Sequence, residues 1–244
     1  MQSANSSVLK VLDRTHNPEN VSKSVENARS AGFENISLDL IYGTPGETLE
    51  QWESTVKSAL SYGINHLSAY ALIIEDGTKL SAKIKRGEIN RPDDDLMAQM
   101  YLKVDEIAER AGLPWYELSN WGRPAAHNLI YWRNENWWGL GPGAHSHLNG
   151  TRWWNVKHPS KYSEKLAAFE SPMQDREVLG EKEIEAEKIM LQIRLREGLA
   201  LSELSTSQIG ILESYPEEVL ITEQRAQLTP TGRLIADRIV RALI

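Results

Sequence analysis

The aromatic and imidazole side chains of this sequence are concentrated in one short stretch. Seven of its eight tryptophans lie between Trp115 and Trp154, and four of its six histidines lie within that stretch or just beyond it. Flat rings offer stacking area, and imidazole nitrogens can ligate a metal. The pattern therefore indicates either an unusually aromatic sheet or a surface for a large planar ligand.

Asp39 is the other residue whose position calls for a chemical explanation. Apolar and polar residues alternate over Phe33–Tyr42, which predicts a strand. Asp39 lies three residues before the end of this strand at Tyr42, after which the loop Gly43–Glu47 begins. A carboxylate in a buried parallel strand is costly unless a partner or ligand satisfies it. Ligands of α/β folds bind at the carboxyl ends of strands. Asp39 is therefore predicted to hold a ligand or, equally well on sequence alone, to cap a neighbouring loop.

The elements that must position Asp39 alternate between helix and strand. Asn17 as a cap and Pro18 at the first helical position predict a helix that Gly32 ends. A second helix is predicted over Thr48–Tyr62 and a second strand over His66–Ile74. This alternation predicts a parallel sheet or part of a (β/α) barrel.

The remainder of the chain is predicted to form two further parts. A helix begins after Pro92 and ends at Gly112, with Asp93–Asp95 compensating the positive end of its dipole. The aromatic stretch is interpreted as short strands separated by Gly, Pro and Asn. After Arg176, a charged amphipathic helix is predicted around Glu183–Arg196, and with the shorter helices and a turn-rich hairpin that follow it predicts a winged-helix-like module. We therefore expect a barrel portion over residues 1–80, a connecting α+β region over 81–175 and the winged-helix-like module over 176–244.

Composition limits the classes of function. Hydrophobic residues at 41% and charged residues at 25% are typical of a globular protein. No apolar run approaches the roughly 18 residues of a membrane helix, and the sequence does not open with a signal peptide. We therefore expect a cytoplasmic protein without stable membrane insertion. The net charge of -7 argues against a nucleic-acid partner. The chain has no cysteine, which excludes disulfides and thiolate-ligated metal sites within it.

Four segments of the sequence form recognisable motifs: NISLDLIYGTPGET at 35–48, HLSAYALIIEDGT at 66–78, HNLIYW at 127–132 and WWGLGPGAHSH at 137–147. Together they resemble the oxygen-independent coproporphyrinogen III oxidase-like branch of the radical SAM superfamily. HNLIYW matches the HNxxYW motif that separates HemW-type heme chaperones from true coproporphyrinogen oxidases. The resemblance covers essentially the whole chain and the C-terminal two-thirds of the family. It implies an α/β fold, in which a partial radical SAM (β/α) barrel precedes the aromatic region and the winged-helix-like module.

The resemblance implies a site for S-adenosyl-L-methionine (SAM) at Gln2, Arg14 and Asp39. The family surrounds SAM with a glutamine, an arginine twelve residues later and an aspartate twenty-five residues after that, and both spacings are kept here. Arginine pairs with a carboxylate, while the amide and the aspartate bond hydroxyl or amino groups. A surface charge at Arg14 and a frayed terminus at Gln2 are the alternatives.

The resemblance also implies heme binding at the HNxxYW residues His127, Asn128, Tyr131 and Trp132. Histidine is a good axial ligand for heme iron, and the neighbouring rings offer stacking area. The sequence does not rank the further candidate ligands, which are His145, His147 and His158. The alternative is a packed aromatic sheet whose histidines are hydrogen-bonded.

The sequence departs from the family at its start. Family members begin with a C-x-x-x-C-x-x-C loop whose thiolates hold a 4Fe-4S cluster. Neither this loop nor the glycine-rich SAM motif is present in the sequence. We therefore expect the barrel to be incomplete and the chain alone to be inactive in radical chemistry. The resemblance implies part of a heme chaperone that binds heme and delivers it to acceptor proteins. One alternative is an oxygen-independent coproporphyrinogen III oxidase, which HNLIYW argues against. Another is a winged-helix regulator that binds nucleic acid, which the charge disfavours.

Overall fold

The chain divides into two structural units after Pro124. The computed structural model describes residues 1–244 except for the side chain of Pro18. The units are Met1–Pro124 and Ala125–Ile244. The predicted boundaries near residues 80 and 175 fall inside a helix and a strand, and the division into three domains remains a prediction.

Helices and strands alternate in the first unit from its second helix to its fourth. Its elements are α1 (Ser6–Val11), α2 (Pro18–Ser30), β1 (Ser37–Tyr42), α3 (Leu49–Ser61), β2 (His66–Ala71), α4 (Lys79–Lys85), α5 (Asp94–Arg110), β3 (Trp115–Glu117) and β4 (Asn120–Gly122). A side chain caps each of the five helices of this unit. In α2, α3 and α5 the capping residues are Asn17, Thr48 and Asp93, which each accept a hydrogen bond from a backbone N–H in the first turn. These caps confirm the predicted starts of α2 and α3 and account for the first aspartate of the acidic triplet.

The sheet of the first unit has the order β1-β2-β4-β3. Strands β1 and β2 are parallel, as predicted, and their register places Asp39 opposite Ser68. Strand β4 runs antiparallel to both β2 and β3. The βαβ unit β1–α3–β2 therefore positions Asp39 at the centre of the parallel pair.

One face of this sheet forms the core of the first unit. Leu38, Leu40 and Tyr42 of β1 are buried in the cluster that includes Trp52 and Met100 of the covering helices. The opposite face of β1 carries Asp39, which is exposed. The expectation of a buried carboxylate is therefore wrong, because the core residues of α2, α3 and α5 pack against the other face only.

Strand β1 is shorter than the sequence predicted. It begins at Ser37 rather than at Phe33, whose side chain is 64% exposed. The backbone N–H of Ile36 donates to the Asn65 side chain at 3.0 Å instead of to a neighbouring strand. A side-chain hydrogen bond thus replaces the sheet ladder at this end of the strand.

The second unit contains two three-stranded antiparallel sheets. Its elements are α6 (Ala126–Trp132), β5 (His145–Leu148), β6 (Thr151–Asn155), α7 (Pro159–Ala167), β7 (Met173–Val178), α8 (Glu181–Gln192), β8 (Leu199–Ala200), a 3₁₀ turn (Leu201–Glu203), α9 (Thr206–Glu213), β9 (Val219–Ile221), β10 (Arg225–Leu228), α10 (Pro230–Leu234) and α11 (Ala236–Leu243). The strand orders are β5-β6-β7 and β8-β10-β9. Within this unit the aromatic stretch therefore forms a sheet only from β5 onward, whereas Trp115 and Trp121 lie in β3 and β4 of the first unit.

Two elements of the second unit differ from the prediction. HNLIYW forms helix α6 rather than a short strand, and the helix predicted over residues 183–196 ends earlier, at Gln192. Helix α6 stops where Asn134 adopts the left-handed conformation, with φ of 55°. Among the described residues, no helix is both long and apolar enough to cross a membrane.

Candidate functional site

Gln2 and Asp39 are neighbours in the first unit. The backbone N–H of Gln2 donates to the Asp39 carbonyl at 2.7 Å, and the Ile41 N–H donates to the Gln2 carbonyl at 2.9 Å. These bonds add Gln2 to the edge of β1 as a parallel bridge. Gln2 is therefore ordered rather than frayed, and two of the three residues predicted to hold SAM share one sheet edge.

Arg14 lies near the same edge. Burial lowers the pKa of the Met1 ammonium group. The negative charge of Asp39 raises that pKa, and the positive charge of Arg14 lowers it. His16, two residues after Arg14, has its Nε2 2.6 Å from the Met1 carbonyl oxygen. Arg14 also lines a cavity of about 500 Å³ whose wall includes Ile41 and Leu72. Arg14 and Ile41 of β1 therefore line the same cavity, whose lining does not include Gln2 or Asp39.

A histidine network lies on the same side of the sheet as Asp39. His66 Nδ1 is 2.7 Å from the Ser37 hydroxyl, and its Nε2 is 2.9 Å from the Tyr116 hydroxyl. Burial lowers the pKa of His66, while the Asp39 charge opposes that shift. Both ring nitrogens are occupied, so His66 fixes hydroxyl groups on this face rather than presenting a free lone pair.

The loop that follows β1 buries a carboxyl group. Glu47 is 3% exposed, and burial raises its pKa to about 7. Its Oε2 accepts from the Thr44 N–H at 3.3 Å, whereas its Oε1 and the Thr44 hydroxyl are buried without a hydrogen-bond partner among the described residues. The sequence analysis did not single out Glu47, because composition does not report the burial of a loop residue.

Helix α6 places His127 and Tyr131 one turn apart on one helix face. His127 Nε2 is 2.8 Å from the Tyr131 hydroxyl, and the two rings are 5.1 Å apart. Both side chains are exposed, whereas Trp132 is half-buried. The spacing of four residues brings the pair together because side chains at i and i+4 meet on a helix. An imidazole with an oriented hydroxyl partner at a surface can bind a metal centre.

Trp137 connects this pair to a second imidazole. Its ring packs edge-on against Tyr131 at 5.0 Å and lies 4.9 Å from the His147 ring. Trp137 and His147 are also paired by two backbone hydrogen bonds of 2.9 and 3.0 Å. The four residues His127, Tyr131, Trp137 and His147 therefore form a continuous row of rings, which we call the aromatic row. The sequence analysis did not single out Trp137.

The remaining candidate histidines have different surroundings. His145 is exposed and stacks on Trp154 at 5.8 Å. His158 precedes α7, and its Nδ1 is 2.8 Å from the Ser160 hydroxyl. Neither ring has a contact with the aromatic row in the part of the chain that the structure describes. Among the described residues, no group of three or more His, Asp and Glu side chains could hold a metal ion.

Comparison with known proteins places the chain in a family. Residues 1–59 match the model of the radical SAM superfamily. The chain is 44% identical to the heme chaperone HemW of Mycobacterium tuberculosis, over 100% of this chain and 64% of that protein. It is 34% identical to the heme chaperone HemW of Bacillus subtilis, over 100% of this chain and 68% of that protein. The chain belongs to the HemW family. It thus spans about two-thirds of the length of these relatives.

A solved structure shows the same fold. The coproporphyrinogen III oxidase HemN of Escherichia coli, described as a radical SAM enzyme, superposes with a TM-score of 0.79 over 100% of this chain and 62% of that one. The two sequences are 18% identical, so this likeness speaks to the fold alone. It confirms the expected α/β class with a partial radical SAM fold.

Proposed function

We propose that this chain binds heme at helix α6 and that the protein passes heme to acceptor proteins. The observation that carries the proposal is the exposed pair of His127 and Tyr131, which the HNLIYW motif forms in a HemW family member. If His127 Nε2 donates to the Tyr131 hydroxyl, Nδ1 presents a lone pair to iron. A metal-bound histidine commonly donates its other N–H to such a partner. Asn128 and Trp132, from the same helix, complete the proposed site.

The exposure of α6 agrees with a protein that carries heme and releases it, rather than with one that stores it. A chaperone must release its cargo, and a ligand on an exposed helix can be approached by an acceptor protein. Tyr131 is 38% exposed and Trp138 is 67% exposed, so aromatic surface is available to a porphyrin without unfolding the unit. Each ring contact contributes about 0.5–1.5 kcal/mol beyond burial. A few such contacts with one iron ligand give reversible binding.

Gln2, Arg14 and Asp39 are proposed to hold SAM in the first unit. The donor set fits the ligand, because Arg14 can pair with the methionine carboxylate while Gln2 and Asp39 bond amino and hydroxyl groups. Reductive cleavage of SAM needs an electron donor. The chain contains no cysteine, so its own residues cannot hold a 4Fe-4S cluster through thiolates. The residues present fit SAM but not the cluster, and we derive no radical step from them.

Titration of ferric heme tests the proposal. We expect saturable binding with a shifted Soret band in the wild type and weaker binding in His127→Ala, because alanine supplies no ligand. Tyr131→Phe keeps the ring and removes only the hydroxyl, so it should weaken binding less. His16→Ala, in the other unit, is the matched control. Wild-type spectra from His127→Ala that is folded by circular dichroism would remove His127 from the site.

A further inference from the structure

The imidazole of His147 combines burial with an unused nitrogen. The residue is 4% exposed, and its Nε2 is buried without a hydrogen-bond partner among the described residues. Leaving a buried polar atom unpaired costs about 1–3 kcal/mol. Such a cost is expected where the atom has a role in a different state of the molecule.

The other ring nitrogen of His147 fixes the tautomer. His147 Nδ1 lies 3.1 Å from the backbone carbonyl of Glu135. A carbonyl oxygen can only accept, so Nδ1 carries the proton and the neutral ring has its lone pair on Nε2. Histidines that ligate metals commonly hold their second nitrogen in this way. His147 is therefore already in the form that binds iron.

The neighbours of His147 indicate which kind of metal centre its imidazole could ligate. The Trp137 ring contacts both the His147 ring and the Tyr131 ring, with centroids 4.9 and 5.0 Å away. The indole is thus a flat group that contacts one imidazole and the tyrosine of the His127–Tyr131 pair. A porphyrin is also flat and aromatic, and it carries iron at its centre.

We propose that His147 Nε2 is an axial ligand to heme iron and that the porphyrin takes the place of the Trp137 indole. The proposal rests on heme binding by this chain, as proposed above. Trp137 is half-buried, and its Nε1 donates one hydrogen bond of 3.2 Å to the His145 carbonyl. Displacing the indole breaks that one side-chain bond and leaves the backbone pairing of Trp137 with His147 intact. The porphyrin then has His147 on one face and the His127–Tyr131 pair on the other.

The test compares variants that separate ligation from folding. His147→Asn keeps an N–H that can donate to the Glu135 carbonyl but has no Nε2 lone pair. His158→Asn is the matched control. In ferric heme titrations followed by absorption and electron paramagnetic resonance, we expect a low-spin, two-histidine signal in the wild type and in His158→Asn. His147→Asn should convert it to a high-spin signal with weaker binding. Trp137→Leu, which leaves both histidines in place, should bind heme faster than the wild type.

The outcomes distinguish this proposal from the function on which it rests. Saturable heme binding with the same low-spin signal in the wild type and His147→Asn would overturn ligation by His147 and leave the proposed function standing. Loss of the low-spin signal in His145→Asn instead of His147→Asn would also overturn it. An unchanged association rate in Trp137→Leu would overturn the displacement of the indole. If the wild type shows no saturable binding, the proposed function fails, and this inference fails with it.

Discussion

The buried carboxyl of Glu47 gives a prediction whose size follows from the structure. Burial raises its pKa from 4.5 to about 7. In the unfolded chain the carboxyl ionises near its ordinary pKa, whereas in the folded chain it holds its proton to higher pH. Between these two values the folded state binds more protons, so the free energy of unfolding falls as pH rises. The full loss is roughly 3 kcal/mol, at about 1.4 kcal/mol per pKa unit.

Glu47→Gln removes this dependence. The amide is close in shape to the carboxylic acid, and its oxygen can still accept from the Thr44 N–H. At about pH 8 we expect the variant to be more stable than the wild type by roughly 1–3 kcal/mol. At about pH 4, where the wild-type carboxyl is protonated in both states, the two should be nearly equal.

The assay is urea unfolding of both proteins at the two pH values, with Glu34→Gln at an exposed position as the control. Other groups titrate in the same range, but they do so in all three proteins, so the difference between proteins isolates Glu47. The reasoning is refuted if Glu47→Gln and the wild type differ by the same amount at both pH values. An equal gain from Glu34→Gln would also contradict it, since that side chain is exposed.

Two further predictions concern the two units separately. Asp39→Asn should weaken SAM binding, measured by calorimetry, by on the order of 1–3 kcal/mol if the carboxylate bonds the ligand; an unchanged affinity in the folded variant would make Asp39 structural. Gly139→Ala should lower the thermal midpoint, because a Cβ there would lie 2.0 Å from the His145 carbonyl oxygen. A Cβ at Gly210 in helix α9 would meet nothing within 4 Å, so Gly210→Ala should stabilise the protein by up to about 1 kcal/mol. A lower thermal midpoint in Gly210→Ala, or an unchanged midpoint in Gly139→Ala, would contradict this reasoning.

The elements of the first unit were largely predictable because their signals are local. Asn17 and Thr48 accept hydrogen bonds from nearby backbone groups, so cap residues and periodicity locate α2 and α3. The pairing of Gln2 with Asp39 joins residues that are far apart in the sequence, and no periodic pattern contains it. The family resemblance indicated the two residues, and only the fold shows that they are neighbours.

Helix α6 and the aromatic row were not predictable from local signals. Its seven residues include histidine, asparagine, tyrosine and tryptophan, which are poor helix formers, and Ala125 offers no side-chain cap. Tertiary context therefore decides its conformation. His145 and His147 are two residues apart on one strand, yet only His147 is buried. That difference depends on Trp137, which reaches His147 through a pairing outside the named strands.

Hydrogen exchange measured with and without ferric heme tests the central claim most directly, because it reports where the ligand binds. The account predicts that heme slows backbone exchange in α6 and in the segments around Trp137 and His147, and that His127→Ala reduces this protection. The first unit should exchange at the same rate in both conditions. Heme-dependent protection confined to residues 1–124, or saturable binding with no protection of α6, would contradict the proposal that this helix holds heme.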